Sequence, residues 1–417
     1  MKHLIILGDG MADWKIPSLE DRTILEAAHT PYMDLLASQG QTGMLHTVEK
    51  GFPPGSEVAN MSILGYDLRK VYQGRGVLEA AHMGIDLSED DLALRCNLIT
   101  TENGLIKNHS AGHITSKEAS ILIEDLDKQL GGDTIHFYPG VQYRHLLVIR
   151  NGNRQVQLTP PHDVPLKPFM PLLPKAVEED IVPKEEGEAS RMSRKDTADL
   201  ITELILKSQE LLRNHPVNLE RQKKGQDMAS SIWPWSPGYK PEMTPLRERF
   251  PEIQSGSVIS AVDLIRGIGR YAGLRAIDVE GATGLFDTNY EGKAQAAIDA
   301  LRSGDDFVFL HVEASDEAGH EGNVSLKIQT VEDLDRRIIG PVYEQVRDWE
   351  ETVSIAVLPD HPTPCALRTH TPEPVPFLIW HRGITPDTTT TFSESSAAKG
   401  CLGELKKDEF IDKFFSL

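Results

Sequence analysis

Short apolar runs alternate with helical patterns at both ends of the chain. Four nearly continuous apolar runs predict buried strands, at residues 4–7, 306–312, 354–358 and 377–380. Runs of this kind are typical of a parallel sheet that is covered on both faces. Between them, apolar residues recur at helical spacing over residues 199–212, 261–271, 291–302 and 325–346. This alternation predicts a doubly wound α/β core.

The middle of the chain has a different pattern. Gly and Pro turns separate short strand-like segments at residues 135–138, 145–149 and 155–158. We therefore expect a smaller α+β domain at residues 86–189, inserted into a core domain made of residues 1–85 and 190–417. A charged run at residues 178–191 is expected to be a solvated linker that leads back to the core.

The charge balance narrows the possible partners. The 417 residues include 63 Asp and Glu against 43 Lys and Arg, a formal net charge of −20. Nucleic acids and anionic membranes require basic surfaces, so neither is an expected partner. The three cysteines have no paired spacing, which favours a reducing compartment. The opening LIIL run is too short for a signal peptide, and no run approaches the ~18 residues of a membrane span, so we expect a cytoplasmic protein.

Potential metal ligands follow three of the predicted strands. Asp9 follows the first strand, and the third is followed by the adjacent pair Asp360 and His361. The remaining candidates after the second and third strands are Asp316, His320 and His370. Ligands of open α/β sheets bind just beyond the carboxyl ends of the strands. The sequence therefore predicts a site at one edge of the sheet.

The residue types of this set indicate the kind of ion. Carboxylates alone would suit Mg²⁺ or Ca²⁺, whereas mixed Asp and His ligands favour Mn²⁺, Zn²⁺, Co²⁺ or Fe²⁺. Three carboxylates and three imidazoles are too many for a single ion with an open position. They suit two ions about 3.5–4 Å apart, an arrangement that can stabilise both the attacking and the leaving oxygen of a phosphoryl transfer.

Ser56 is a candidate nucleophile. It follows Pro-Pro-Gly and precedes a helical stretch, so a phosphate on its Oγ would lie near free backbone N–H groups and the positive end of the helix dipole. Each feature also has an ordinary structural interpretation: Asp9 as a turn residue, Ser56 as a helix cap, and Asp316 with His320 as a loop pair. Their joint placement at strand ends and a helix start favours the functional interpretation.

The motifs of the chain resemble those of a known family, the cofactor-independent phosphoglycerate mutases, and in particular the archaeal-type branch within the alkaline phosphatase superfamily. The resemblance extends from residue 4 to about residue 364. It rests on the segments LIILGDGMAD, PPGSEVANMSILGYD, QGRGVLEAA, SAGHI, GVQYRHLL, AVDLIRGIG, GATGLFDTNYEGKA, HVEASDEAGHEG and PDHPTP. It implies an alkaline-phosphatase-like doubly wound core with a smaller inserted α+β domain.

The resemblance also implies roles for the candidate residues. One divalent ion would be held by Asp9, Ser56, Asp360 and His361, and a second by Asp316, His320 and His370. Mn²⁺ is the first expectation, with Mg²⁺, Zn²⁺ or Co²⁺ as alternatives, and no bisphosphoglycerate is needed. Ser56 would take phosphate from 3-phosphoglycerate and return it to the other hydroxyl of the glycerate, while the inserted domain closes over the substrate and excludes water.

A phosphoglycerate carries about three negative charges and needs fixed cations. The family motifs suggest His113, Arg144 and Arg75 for this role, although each arginine has a surface ion pair as its ordinary interpretation. Residues 254–257 stand where the family pattern has a lysine, and Lys240 is the candidate to compensate for it.

Other activities remain open at this point. A homoserine kinase-like phosphotransferase would use the same phosphoserine chemistry on another hydroxyl, with an acidic group for the ammonium of its acceptor. A two-metal phosphomonoesterase would admit water, and a metal-binding protein without turnover would need no nucleophile. The expected partner is a small phosphorylated molecule, and nothing in the sequence indicates the oligomeric state.

Overall fold

The structure is a computed structural model that describes residues 1–178, 181–182 and 188–416. Half of the charged run at residues 178–191, for which a linker role was expected, therefore lies outside the described residues. The chain divides into two compact units. Unit 1 contains Met1–Tyr72 and Glu242–Leu417, and unit 2 contains Gln73–Pro241.

The described residues form strands and helices throughout both units. The strands are β1 (Lys2–Gly8), β2 (Gln41–His46), β3 (Asp91–Glu102), β4 (Leu105–Asn108), β5 (Ile135–Tyr138), β6 (Arg144–Arg150), β7 (Val156–Gln157), β8 (Lys175–Ala176), β9 (Ser231–Gly238), β10 (Gly256–Ile259), β11 (Arg275–Ile277), β12 (Phe307–Val312), β13 (Val353–Leu358), β14 (Val375–Trp380) and β15 (Glu404–Lys406). The helices are α1 (Ile24–Ala27), α2 (Pro31–Gln39), α3 (Ser56–Ile63), α4 (Leu68–Val71), α5 (Arg75–His82), α6 (Ser116–Leu130), α7 (Arg194–Arg213), α8 (Pro216–Lys223), α9 (Leu246–Arg249), α10 (Asp263–Tyr271), α11 (Tyr290–Arg302), α12 (Ala314–Glu321), α13 (Val324–Leu334), α14 (Gly340–Val346), α15 (Glu394–Ala397) and α16 (Glu409–Ser416).

Unit 1 is built on one mostly parallel sheet with the strand order β11-β10-β12-β1-β13-β14-β2-β15. The five strands from β11 to β13 are parallel, whereas β14 is antiparallel to both β13 and β2. Every residue of β1, β12 and β13 is buried, as expected for central strands covered on both faces. These observations confirm the predicted α/β core.

The central strands of unit 1 lie side by side and point the same way. β1 has β12 on one side and β13 on the other, with Ile5 level with Phe309 and with Ala356. One core cluster joins Leu4 and Ile6 to the apolar faces of α11 and α13. The carboxyl ends of the three strands consequently meet at a single edge of the sheet.

Unit 2 is built on an antiparallel sheet in which β3 is central. The strand order is β4-β3-β6-β5, and β9 also pairs with β3. The core of the unit lies between this sheet and α6 and α7, and it includes the fully buried ring of Trp233. Among the described residues, no helix is both long enough and apolar enough to span a membrane.

Two predicted elements of the core differ from the structure. β14 lies in the sheet as expected, but it is antiparallel, which an apolar run alone does not reveal. The predicted helix at residues 325–346 is α13 and α14 joined by a wider π-helical turn at Asp335–Ile339. Pro341 follows this turn and has no N–H to donate, so regular α-helical hydrogen bonding does not continue there.

The domain boundaries also differ from those expected. The insert was predicted at residues 86–189, but unit 2 runs from Gln73 to Pro241. β9 belongs to it because it pairs along β3, and α7 belongs to it because Ile201, Leu204 and Ile205 enter the same core cluster as Trp233. The prolines of β9 argued against a strand in the sequence, since proline has no N–H to donate to a neighbouring strand and is confined to edge positions.

Candidate functional site

Three parallel strands deliver the predicted residues of unit 1 to one place. Asp9 immediately follows β1, Asp316 lies on α12 after β12, and Asp360 and His361 follow β13. The side chains of all three acids are buried. This clustering of carboxylates arises directly from the adjacency of the three strands.

The first group of close ligand atoms consists of Asp316, His320 and His370. His320 lies one helical turn after Asp316 on α12, and its Nε2 is 3.1 Å from Asp316 Oδ2. His370 Nε2 lies 3.4 Å from Asp316 Oδ1 and 3.0 Å from His320 Nε2. The other ring nitrogens face backbone oxygens, with Nδ1 of His320 3.0 Å from the Arg368 carbonyl and Nδ1 of His370 3.3 Å from the Pro54 carbonyl.

The second group surrounds the hydroxyl of Ser56. Its Oγ lies 3.3 Å from Asp9 Oδ2 and 3.2 Å from His361 Nε2. His361 Nε2 is also 3.6 Å from Asp9 Oδ1 and 3.4 Å from Asp360 Oδ2. The structure thus brings together all seven residues that the sequence suggested for nucleophile and metal ligands, although they span most of unit 1.

Helix α3 positions the serine. Ser56 is its first residue, and no side chain caps the helix start. Asn60, one turn later on the same face, donates to the Ser56 carbonyl at 2.8 Å and to Asp360 Oδ2 at 3.0 Å. The backbone N–H groups of Gly10 and His361 donate to Asp360 Oδ1 at 3.0 and 2.8 Å. These bonds fix the Asp360 carboxylate relative to the helix start.

Sequence reasoning missed His311. It lies in β12 with no exposed surface, and its Nε2 is 2.9 Å from Asp9 Oδ2. Its Nδ1 faces Ser260 Oγ at 3.1 Å. Asp9, His311 and Asp360 form a further group whose ligand atoms lie close together. A polar residue inside an otherwise apolar strand run was the available signal.

The protonation of the site is governed by burial and by crowding of carboxylates. Burial raises the pKa of Asp9 well above its usual value, and the charges of Asp360 and Asp316 raise it further. Burial also opposes ionisation of Asp316, but hydrogen bonds from His320 and His370 hold its pKa well below the usual value. The hydrogen bond between His320 and Asp316 also raises the pKa of His320 to about 9.

The residues fit divalent cations. Asp9 Oδ1 is buried and has no hydrogen-bond partner among the described residues, although a buried carboxylate oxygen ordinarily has one. A bound cation would satisfy this oxygen and offset the repulsion between Asp9, Asp316 and Asp360. The mixed oxygen and nitrogen donors suit ions of intermediate softness.

Unit 2 contains all four predicted substrate-binding residues, and two of them, Arg75 and Arg144, are electrostatic neighbours of the half-buried Arg95. Arg95 pairs with Glu79 at 3.0 Å, and its guanidinium carbon lies 5.1 Å from the ring centre of Trp235. Burial lowers the pKa of Arg95, and the nearby charges of Arg144 and Arg75 lower it further, which places three guanidinium groups in one electrostatic neighbourhood.

Two histidines, His109 and His113, are neighbours of this arginine cluster. Burial lowers the pKa of His109, as do the neighbouring His113 and Arg144. His113 is exposed and has left-handed backbone geometry, with φ 54°. Lys240 has a different setting, because its Nζ is paired with Asp86 at 2.9 Å. Sequence reasoning missed Arg95, whose position in a strand gave no sign of its contact with the Trp235 ring.

A mostly parallel α/β sheet with carboxylates, imidazoles and a helix-borne serine at one edge fits the class of metal-dependent phosphotransfer enzymes. Comparisons with known proteins narrow this class. The sequence model described as 2,3-bisphosphoglycerate-independent phosphoglycerate mutase matches residues 37–218. A protein of that name from Methanosarcina barkeri is 49% identical over 413 residues, which cover 99% of this chain and 98% of the relative. The chain belongs to the family of 2,3-bisphosphoglycerate-independent phosphoglycerate mutases.

Two solved structures are also similar to this chain over its full length. A protein of Pyrococcus horikoshii is similar with a TM-score of 0.81 and 32% identity, covering 100% of this chain and 96% of the other. The cofactor-independent phosphoglycerate mutase of Thermoplasma acidophilum is similar with a TM-score of 0.68 and 27% identity, covering 100% of this chain and 99% of the other.

Proposed function

We propose that this chain interconverts 3-phosphoglycerate and 2-phosphoglycerate through a phosphoserine at Ser56, without bisphosphoglycerate. Family membership supports the reaction. The observation that carries the assignment of the nucleophile is the position of the Ser56 hydroxyl, 3.3 Å from Asp9 Oδ2 and 3.2 Å from His361 Nε2, at an uncapped helix start.

Two divalent cations fit the unit 1 cluster, with Mn²⁺ as the first candidate because carboxylates and imidazoles occur together. One set of ligands would be Asp9, Ser56, Asp360 and His361, and the other would be Asp316, His320 and His370. When bound, such cations lower the pKa of a serine hydroxyl and neutralise the charge of phosphoryl oxygens.

The residues of unit 1 account for the phosphoryl transfer. Ser56 Oγ bonds to phosphorus as the bond from phosphorus to the substrate oxygen breaks. The proton of Ser56 moves first toward Asp9 Oδ2, and the departing glycerate oxygen takes up one proton to become a hydroxyl. The backbone N–H groups at the start of α3 are positioned to donate to phosphate oxygens. In the second step the other glycerate hydroxyl attacks phosphorus and loses its proton, while Ser56 Oγ leaves and regains one. The net reaction therefore moves phosphate between two hydroxyls.

Unit 2 supplies the cations that the anionic substrate needs. Arg75, Arg144 and His113, together with Arg95, are suited to the carboxylate and phosphate of a phosphoglycerate. Three clustered guanidinium groups favour this substrate over homoserine, whose ammonium would be repelled. Lys240, paired with Asp86, is the weakest of the proposed ligands. The closing role of the inserted domain stays a prediction.

The test is a direct assay of product. Full-length protein with MnCl₂ and 3-phosphoglycerate, but no bisphosphoglycerate, is followed by phosphorus NMR for 2-phosphoglycerate and inorganic phosphate. Two parallel reactions replace 3-phosphoglycerate, one with homoserine and ATP and the other with p-nitrophenyl phosphate. We expect 2-phosphoglycerate as the main product. Phosphate as the main product would instead support a phosphomonoesterase, and turnover only with homoserine would support the kinase-like activity.

A further inference from the structure

The hydroxyl of Thr363 lies between residues of the two proposed ligand sets. Thr363 follows His361 by two positions in unit 1 and has no exposed surface. Its Oγ1 forms a short hydrogen bond with Asp316 Oδ1 and lies 3.3 Å from His361 Nδ1. Asp316 belongs to one proposed ligand set and His361 to the other.

The inventory of protons fixes the direction of these bonds. A hydroxyl has a single proton, and an ionised carboxylate can only accept, so Thr363 donates its proton to Asp316. The contact between Thr363 Oγ1 and His361 is then favourable only when Nδ1 carries a proton and donates to Oγ1. In a neutral imidazole this leaves Nε2 bare.

The bare nitrogen faces the reactive part of the site. His361 Nε2 lies 3.2 Å from Ser56 Oγ and 3.6 Å from Asp9 Oδ1. An imidazole binds a cation through an unprotonated nitrogen, and the partner of its other nitrogen sets which nitrogen that is. The opposite tautomer would direct a proton toward the place of the cation.

The backbone around Thr363 is held firmly. Lys327 Nζ donates to the Thr363 carbonyl at 2.8 Å, and the Thr363 N–H donates to the Ala12 carbonyl at 3.3 Å. Gly10 has φ +60°, and a Cβ there would lie 2.5 Å from Thr363 Oγ1, so only glycine permits this approach. These contacts hold the Thr363 hydroxyl close to Asp316 and His361 and leave little room for it to bond elsewhere.

We propose that Thr363 is a positioning residue that favours the His361 tautomer with an unprotonated Nε2. Its hydroxyl links the His361 ring to the Asp316 carboxylate through hydrogen bonds. The proposal rests on the proposed function, because it assumes that His361 and Asp316 hold cations. It assigns Thr363 no contact with the substrate. It predicts that loss of the hydroxyl weakens cation binding and slows turnover without weakening substrate binding.

The test compares Mn²⁺ binding by chelator-treated full-length protein in calorimetric titrations with MnCl₂. Partners of this kind typically contribute a factor of 10–100 to metal affinity, so Thr363→Val should bind Mn²⁺ about 10–100 times more weakly. Thr363→Ser keeps the hydroxyl and should restore near wild-type affinity. In assays at saturating Mn²⁺, Thr363→Val should lower kcat and leave KM for 3-phosphoglycerate unchanged.

Thr42→Val is the matched control, because it also removes a hydrogen bond from a buried threonine to an aspartate, here the 2.9 Å bond to Asp387. It should lose stability but keep its Mn²⁺ affinity. If Thr363→Val does not fold, Thr363→Ala removes the same hydroxyl with less crowding. Wild-type Mn²⁺ affinity in the variant without the hydroxyl, or an equal loss in Thr363→Ser, would overturn the proposal. A wild-type protein that binds no Mn²⁺ would overturn the metal-dependent function itself.

Discussion

The ammonium of Lys327 lies 2.9 Å from the carboxylate of Asp13, and both side chains are almost completely buried. The same ammonium donates to the carbonyls of Ala12 and Thr363 at 3.0 and 2.8 Å, so all three of its protons are used. Asp13 Oδ2 also accepts from the Cys365 N–H at 3.1 Å. This ion pair joins the loop after β1 to the loop after β13, which are the two loops that carry Asp9 and His361.

Removing the positive charge of this pair should strongly destabilise unit 1. Breaking a buried ion pair from one side typically costs about 3–5 kcal/mol, because it leaves a charge without a partner. We expect Lys327→Met to lower the free energy of unfolding by about this amount in urea titrations. Asp13→Asn combined with Lys327→Met should recover part of the stability. If Lys327→Met were as stable as the wild type, the ion pair would make no measurable contribution to stability.

Ser56→Ala should abolish turnover and preserve the fold. The change removes only the Oγ that is proposed to carry phosphate, and Asp9, Asp360 and His361 remain to bind a cation. Ser38→Ala is the control, since the Ser38 hydroxyl donates to the Leu35 carbonyl within its own helix. Mutase activity and Mn²⁺ affinity are measured for both. Substantial activity in Ser56→Ala would mean that phosphate travels without a phosphoserine.

Cation removal should lower thermal stability. A ligand that binds only the folded state stabilises it by about 2.7 kcal/mol at a hundred times its Kd, so Mn²⁺ should raise the Tm of chelator-treated protein. His370→Ala should reduce this increase, because His370 Nε2 lies within 3.4 Å of Asp316. His46→Ala changes a partly exposed histidine that pairs with Glu404 and should keep the full increase. Equal increases in both variants would exclude His370 as a ligand.

The sequence predicted the part of the site that follows from topology. Asp9, Asp360 and His361 could be predicted because ligands bind beyond the carboxyl ends of parallel strands. The roles of Thr363 and His311 could not be predicted, because a buried threonine or a histidine within a strand usually has a purely structural role. Their importance depends on contacts with Asp316 and Asp9, residues distant in sequence.

The fold shows the same division. Apolar runs located β1, β12 and β13, but the antiparallel direction of β14 depends on how the chain returns to the sheet. The extent of unit 2 depends on the pairing of β9 with β3, which are more than a hundred residues apart. Local patterns report burial and periodicity, whereas the partner of a strand is decided by tertiary packing.

His145 should make unit 2 sensitive to acid. Burial lowers the pKa of His145 from 6.5 to about 3, and its Nδ1 accepts a hydrogen bond from the Gly140 N–H at 3.0 Å. The unfolded chain takes up a proton near pH 6.5 while the folded chain does not, so this contribution to stability is complete above pH 6.5. It is lost progressively as the pH falls from 6.5 toward 3.

Urea unfolding between pH 7 and 4, which lies inside this titration range, measures the effect. His145→Gln should show a weaker decline of unfolding free energy with acidification, since the titrating group is gone. His136→Gln, on the neighbouring strand β5 and partly exposed, should decline as the wild type does. An unchanged pH dependence in His145→Gln would assign the acid sensitivity to other groups.

Arg144→Ala tests whether the cationic cluster of unit 2 holds the glycerate. Arg144 begins β6, and its guanidinium carbon lies 4.7 Å from the Tyr143 ring centre, which orients the side chain without neutralising it. A charge-assisted contact to an anion contributes about 1.5–3 kcal/mol, so the mutase rate should fall roughly tenfold to a hundredfold. A loosely held glycerate also lets water compete for the phosphoserine, so inorganic phosphate should rise relative to 2-phosphoglycerate. Arg150→Ala, an exposed change at the other end of β6, should keep the wild-type rate and product ratio. If Arg144→Ala behaves like Arg150→Ala, Arg144 is a surface residue and the glycerate is bound elsewhere.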